Sequence, residues 1–600
     1  MCTRRKIQIV LFAIASTIAI MWYFQVSTGN IAGILFFVVL LYFYTVIPEH
    51  IDKRYKMGAV AVSLVFSLSV TIGKFGMSGE STLDALHGNV DYIVKDLYTA
   101  VININNYTNK ADIWVMLIMW IGIWIFIYNF CVWIFKWLDT INIQENKVNK
   151  LNNRIFFACV LIICWIPYYI YNLPGVINPD VVNQIAQIEG DYGLNNHFSV
   201  VHTLTLKIFY VFGQKCFGSN IVGISLYTAF QLIIMALILS QVLFFVSKKC
   251  SKLATCILLM YYALSPLVAT YSVVIWKDSI FATFVIWLSI ILYDYFTNRN
   301  KVNSIQLIFC ATGMCLLRSN GLIAYIVLVI VLLLMYKTSS KKSKIILIIP
   351  IVVCLIIEGP IYKGAGIDDG NDIVESLSIP LQHIARVVAE SQDSLTNSEI
   401  EMIERLAPLE EIKEAYNSRL SDPIKCVMWN HGTGQYIENN KMQFAKIWIT
   451  LGIKHPTKYL KAWIDATVGY WYPDVQYDTI WGGVFQNEYG IKPIYNKHKD
   501  FYGTQENLYR VVPLLGNLFS IGSMFLILIF CIGYFWVKRD KEKILLGLPS
   551  LMMWGTIMIA TPVYAEMRYV FYIMLVSPLM LCIAISKSCA QENCAYKDIN

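Results

Sequence analysis

Charge is scarce in this chain. Only 15% of its 600 residues are Asp, Glu, Lys or Arg, while 57% are hydrophobic and the mean hydropathy is +0.55. That balance excludes an ordinary soluble protein. Nucleotide signatures are missing as well: there is no P-loop lysine motif, and no GxGxxG opens a helix. Nucleotide hydrolysis and dinucleotide chemistry therefore have no support. No GxSxG elbow and no HExxH occur, and His197 and His202 stand five apart rather than the four of a helical metal pair. The 15 cysteines show no zinc spacing and no disulfide framework. Cys159 and Cys164, like Cys310 and Cys315, read as small apolar packing residues, and only Cys216 and Cys426 fall in long loops expected outside. The net charge of +8 is not gathered into a nucleic-acid patch; basic residues are dispersed between apolar stretches.

Those stretches are what the chain has in abundance. Fourteen are read, at 7–26, 30–47, 57–75, 112–135, 155–171, 220–246, 253–271, 279–296, 302–317, 321–336, 344–357, 511–537, 544–562 and 569–586. A hydrocarbon core roughly 30 Å thick needs about 20 apolar residues per helix, so these are predicted spans. The first follows Arg4, Arg5 and Lys6 and lacks a small-residue cleavage site, which reads as a retained anchor. Almost no ionisable residue falls in mid-span, which counts against ion-coupled transport.

Lysine and arginine asymmetry sets the expected orientation. With both termini cytoplasmic, every inner connection is basic, from Lys53, Arg54 and Lys56 to Lys538, Arg539, Lys541 and Lys543. The predicted class is an all-α polytopic membrane protein of about fourteen helices with a mostly helical extracytoplasmic domain. It divides into a four-span block (1–154), a membrane core (155–358) with an outer loop (173–219), the outer domain (359–510), and a three-span block with a short cytoplasmic tail (511–600). In the outer domain, helices are expected at 373–390, 398–416, 440–452 and 456–470. Asn397 is expected as a cap without a full capping box, because Ile400 rather than Glu follows it. The aromatic stretch 470–502 is expected to form an interfacial belt.

Three short outer connections break the charge rule with one base each: Trp276-Lys277-Asp278, Leu317-Arg318-Ser319-Asn320 and Glu566-Met567-Arg568-Tyr569. A lone base there can snorkel to the headgroups. Three on one side form a candidate anion site, since guanidinium and ammonium groups are the usual phosphate partners. Asp278 and Glu566 are their expected local counter-ions. Asp180, in the polar loop after the fifth span, is the candidate carboxylate; it also fits a helix N-cap ahead of 181–189. Gln184 and His202 lie in the same loop, where ordinary hydration is one expectation. The segment 200–217 has the spacing of an interfacial helix.

Taken as a set, Pro174-Gly175, Pro179-Asp180, Gln184, His202 and the three basic motifs resemble the polytopic GT-C glycosyltransferases, and most closely an uncharacterised bacterial branch found mainly in Gram-positive organisms. The segment Ser378-Ile379-Pro380-Leu381-Gln382-His383-Ile384-Ala385-Arg386 is similar to one in that branch's outer domain. The resemblance covers roughly 155–586. It implies a multi-pass protein of the bacterial plasma membrane that moves a sugar, with inversion, from a polyprenyl-phosphate donor to a glycan, glycolipid or teichoic-acid-type acceptor. Asp180 would be the general base, and Lys277, Arg318 and Arg568 would hold the donor phosphate, supported by Asp278, Glu566, Gln184 and His202. Two departures stand out. The acidic residue follows the fifth span rather than the first, and Val181 replaces a second acidic residue, so a divalent cation is possible but no metal ligand is assigned. Membrane lipids are expected partners and nucleic acid is not. The rival readings are a lipid-linked saccharide flippase or exporter, and a polysaccharide polymerase or ligase with a diphosphate-linked donor.

Overall fold

A computed structural model describes residues 3–26, 30–48, 50–76, 110–140, 150–297, 304–336, 340–370, 372–475, 483–495, 516–560 and 563–585. Among these residues the chain is helical, with no strand and only a few isolated bridges. The fold is that of an all-α membrane protein. Eight helices are long and apolar enough to cross a bilayer: Arg4–Tyr23, Lys53–Lys74, Trp114–Thr140, Arg154–Tyr171, Asn220–Lys249, Lys277–Thr297, Lys341–Gly364 and Met567–Ile585. Six shorter apolar helices join them, Ile31–Val46, Lys252–Leu264, Ser304–Leu317, Ser319–Met335, Ile521–Val537 and Leu548–Ile559. Large apolar side chains such as Ile31, Trp114, Ile155, Leu253 and Ile305 are exposed along them. Water would penalise so much apolar surface, and lipid does not.

The chain forms two compact units. One comprises 1–137, 372–475 and 557–565. Its helical core gathers Val374, Leu381, Ile384, Val388, Ile403, Ile424, Met428 and Leu451. The expected helix 373–390 is interrupted at Leu377 into Ile373–Ser376 and Ser378–Ser391, and 398–416 is split near Pro408 into Asn397–Glu404 and Leu409–Ala415. Two short helices the periodicity did not resolve, Asp422–Asn430 and Thr433–Asn439, follow. The cap expected at Asn397 lies one residue earlier. Thr396 accepts from the Glu399 backbone and the Glu399 carboxylate accepts from the Thr396 backbone, a complete capping box. Tyr470, Trp471 and Tyr472, expected in an interfacial belt, are instead buried; 476–482 and 496–502 of that stretch lie outside the described residues. Cys159, expected to pack inside, is exposed on its helix.

The other unit comprises 138–371, 476–556 and 566–600. Its innermost helices are Lys277–Thr297 and Met567–Ile585, whose residues are mostly buried, whereas Arg154–Tyr171 is peripheral. Every candidate site residue belongs to this unit.

Candidate functional site

The site is founded on a short backbone pairing. Val176 N–H donates to Val273 C=O (3.0 Å), and Ile275 N–H donates to Val176 C=O (3.0 Å). On its other side, Ile177 N–H donates to Gly483 C=O (3.0 Å) and its carbonyl accepts from Phe485 N–H (2.9 Å). Gly175 makes the approach possible. Its φ is +149°, and a Cβ there would lie 2.5 Å from Thr228 Oγ1 and 2.8 Å from Ile275 Cδ1. Val176 pairs in parallel with Val274, so Asn178 comes opposite Trp276 and the two helices that follow begin side by side.

The first of these is Pro179–Glu189. Its N-cap is Asn178, whose side chain accepts from Val181 N–H (3.1 Å), with Pro at the first helical position. Asp180, which the sequence allowed as the cap, lies instead in the first turn of this helix. Arg568 Nη1 donates to Asp180 Oδ2 at 2.8 Å, with the Asp180 side chain 40% exposed and that of Arg568 20%.

The three basic residues share one structural address, the N-terminal end of a helix. Lys277 opens Lys277–Thr297, Arg318 precedes Ser319–Met335, and Arg568 is the second residue of Met567–Ile585. Arg318 Nη1 donates to Asp278 Oδ1 (2.5 Å), tying two of these ends together. Lys277 Nζ donates to the His197 carbonyl (2.6 Å) and lies in the electrostatic field of Asp180, Asp278, Arg318 and Arg568. Glu566 Oε1 is 3.7 Å from Arg568 Nε. Burial pushes the Glu566 carboxyl up, against the pull of Arg568. The Tyr569 ring gathers the guanidiniums: Arg318 and Arg568 each have Cζ 4.9 Å from its centroid, and Arg568 also lies 4.9 Å from the Trp276 ring.

Gln184 and His202, expected to touch ligand or solvent, are buried in the wall behind the site. Gln184 Nε2 donates to Phe198 C=O (3.0 Å) and Thr203 Oγ1 (2.9 Å), and both ends of its amide lie within hydrogen-bond distance of His202 Nδ1, Nε2 at 2.9 Å and Oε1 at 3.1 Å. On the other side of the ring, the Tyr227 hydroxyl pairs with His202 Nε2 (2.8 Å). Burial, aided by the charge of Lys277, pulls its pKa down to about 3. This network anchors the 196–199 turn, whose His197 carbonyl holds Lys277, and Ser199 Oγ donates to Leu316 C=O (2.9 Å) just before Arg318. Trp276 and Tyr569 went unassigned in the sequence although each adjoins a candidate cation there.

Three buried donors have no acceptor within hydrogen-bond distance among the described residues: Arg568 Nε, Trp276 Nε1 and Asn178 Nδ2. The arrangement sets three cations and three carboxylates around the starts of three helices, chemistry that suits an oxygen-rich anion. A divalent cation fits it poorly. Among the described residues no group of three or more His, Cys, Asp and Glu is placed to hold one, and Asp180 and Asp278 are engaged by Arg568 and Arg318.

A family model, DUF6020, described as a family of unknown function, matches residues 189–597, more than half of the chain. The chain belongs to the DUF6020 family. No curated protein and no solved structure matches it. The DUF6020 region contains Lys277, Asp278, Arg318, Glu566, Arg568 and His202, and begins after Asp180 and Gln184.

Proposed function

We propose that this DUF6020 protein is an inverting membrane glycosyltransferase that takes a sugar from a polyprenyl-phosphate carrier at the extracytoplasmic face. The observation that carries the reading is the cluster of cations at helix N-termini, with Asp180 beside it and three buried donors that find no acceptor among the described residues. Backbone N–H groups and the dipole make a helix N-terminus a receptor for phosphate. The Asp180 carboxylate beside it supplies the base that a lipid-linked saccharide flippase or exporter would not need.

In this reading the donor phosphate displaces Asp180 from Arg568. Phosphate entry then does two things at once: it fills the guanidinium and frees the carboxylate. The acceptor hydroxyl attacks the anomeric carbon, its proton passes to Asp180, and the bond from that carbon to the phosphate oxygen breaks. The electron pair leaves on the phosphate, where Lys277, Arg318 and Arg568 stabilise it. Fourteen spans with both termini cytoplasmic, in a bacterial plasma membrane, would put the site on the outer face. Among the described residues, eight helices long and apolar enough to cross a bilayer support a multi-pass reading.

Incubating purified protein in lipid nanodiscs with radiolabelled polyprenyl-phosphate hexoses and membrane lipid acceptors tests the proposal. Release of carrier phosphate with label in a new product is expected; absence of both across hexose donors rejects it. One observation favours a second reading. The family match includes every cation of the cluster but begins after Asp180, which suits a phosphate-lipid flippase that needs no base. Donor binding and transbilayer movement without carbon–oxygen cleavage would decide for it.

A further inference from the structure

We infer that the hairpin formed by Lys441–Lys454 and Pro456–Thr467 is a membrane-docking ridge that rests in the headgroup layer of an anionic lipid surface. One face of Lys441–Lys454 is core: Phe444, Ile447 and Leu451 are buried. Its opposite face exposes Met442 (84%), Ile449 (51%) and Ile453 (78%), and Leu460 (58%) continues the stripe on the next helix. Lys446 is exposed on the same face between Met442 and Ile449, and Lys461 is exposed next to Leu460, where it also feels the Glu390 carboxylate. An apolar stripe bordered by lysines is the pattern of a helix lying in a bilayer interface.

The occupant is identified by what the hairpin is fastened to. Pro456–Thr467 packs on the apolar helix Lys53–Gly76. Directly after it, the Trp471 carbonyl accepts from Ser69 Oγ (2.5 Å), within the last two turns of that helix. The Tyr472 ring lies against Gly73, where a Cβ would come within 2.3 Å of it. The Tyr472 hydroxyl pairs with that of Tyr23 (3.1 Å), the last residue of the candidate span Arg4–Tyr23. Trp463, one turn beyond Leu460, donates through Nε1 to the Met558 carbonyl (2.9 Å), and the neighbouring Ile559 is 74% exposed at the end of its own apolar helix. The ridge is thus held at the level where apolar helices end, where headgroups lie, and its lysines match anionic headgroups.

The test places a fluorescent non-natural amino acid singly at 442, 453 and, as a control on an exposed acidic helix, 410 of the full chain in nanodiscs. A lipid-borne quencher is compared with aqueous iodide. Positions 442 and 453 should be quenched at least threefold more by the lipid-borne quencher than position 410, with iodide showing the reverse order. In discs containing phosphatidylglycerol, Lys446→Glu with Lys461→Glu should lower lipid quenching at least twofold, and in neutral discs it should not. Equal iodide quenching at all three positions overturns the ridge. Shielding of 442 and 453 from both quenchers also overturns it, since a protein would then cover the face. Lipid quenching indifferent to the charge reversals overturns the anionic surface.

Discussion

Replacing Asp180 by Asn separates the base from the phosphate grip, because the two should respond in opposite directions. The substitution leaves the helix cap alone, since Asn178 and not Asp180 accepts from Val181 N–H. The amide oxygen of Asn can still accept from Arg568. What is lost is a negative charge at the start of a helix, worth about 0.3–1 kcal/mol, and the charge-assisted part of one hydrogen bond, roughly another 1 kcal/mol. The protein should therefore insert and fold. Because the carboxylate competes with phosphate for Arg568, its removal should tighten donor binding. A pair this exposed is worth about 0.2–1 kcal/mol, so the gain is at most about fivefold. Turnover should fall by about a hundred- to ten-thousand-fold, the usual contribution of a general base.

Donor affinity measured by isothermal titration in nanodiscs, with single-turnover release of carrier phosphate, reads both effects. Near-normal turnover refutes Asp180 as the base. A tenfold loss of donor affinity refutes the exchange on Arg568. Arg568→Ala should weaken the donor instead, and the double variant should bind no more weakly than Arg568→Ala alone, because the competing carboxylate then has nothing to release.

Four other outcomes follow from the geometry. Tyr569→Leu removes the ring that both guanidiniums approach at 4.9 Å without removing a charge, so donor affinity should drop about tenfold, given roughly 0.5–1 kcal/mol per cation–π contact; unchanged affinity in the titration would show that the ring does not organise them. Gly175→Ala must bear both its φ of +149° and a Cβ 2.5 Å from Thr228 Oγ1, and should lower thermal stability by about 2 kcal/mol, part of it restored by Thr228→Ala. His202 is neutral in the fold with its pKa pulled down to about 3, below the ordinary value of 6.5, so its contribution is intact above pH 6.5 and is lost as pH falls toward 3. The slope is about 1.4 kcal/mol per pH unit, and thermal unfolding of His202→Asn across that window should show a shallower acid decline than the parent. Accessibility labelling should mark sites beside Asp180, Gln392 and Gln486 from outside and beside Lys249 and Lys541 only after permeabilisation; labelling at 392 from the cytoplasm alone would reverse the orientation.

The apolar helices were legible because a bilayer imposes one length and one composition on whatever crosses it. The cations were legible for the same reason: a base at an outer span end stands out where so few are found. Their partners were not. Arg568 meets Asp180 across 388 residues of sequence, a pairing that no local pattern encodes. Two local signals were present and misread by one or two positions. Pro179 at the first helical position marks Asn178 as the cap, and Thr396 with Glu399 spells a capping box next to the Asn397 that was chosen. Gln184 and His202 looked like loop residues facing water because polar side chains usually do. Here they satisfy one another and the 196–199 turn, and only the tertiary packing of Tyr227 reveals that.

The electrostatics of the cluster argue that its ligand is an anion. A base at a helix N-terminus faces the positive end of the dipole, a cost of about 0.3–1 kcal/mol each. Lys277 and Arg568 sit at such ends. Arg318 lies between the C-terminal end of Ser304–Leu317, which favours it, and the N-terminal end of Ser319–Met335. Asp180, Asp278 and Glu566 offset the cations. If stability alone governed the site, apolar residues there would serve as well, as they often do in place of buried ion pairs. The offset is also incomplete, since Arg568 Nε, Trp276 Nε1 and Asn178 Nδ2 find no acceptor among the described residues. An oxygen-rich anion answers the dipoles, the cations and the orphan donors together. A phosphate that arrives already attached to a membrane lipid would meet them where the apolar helices begin.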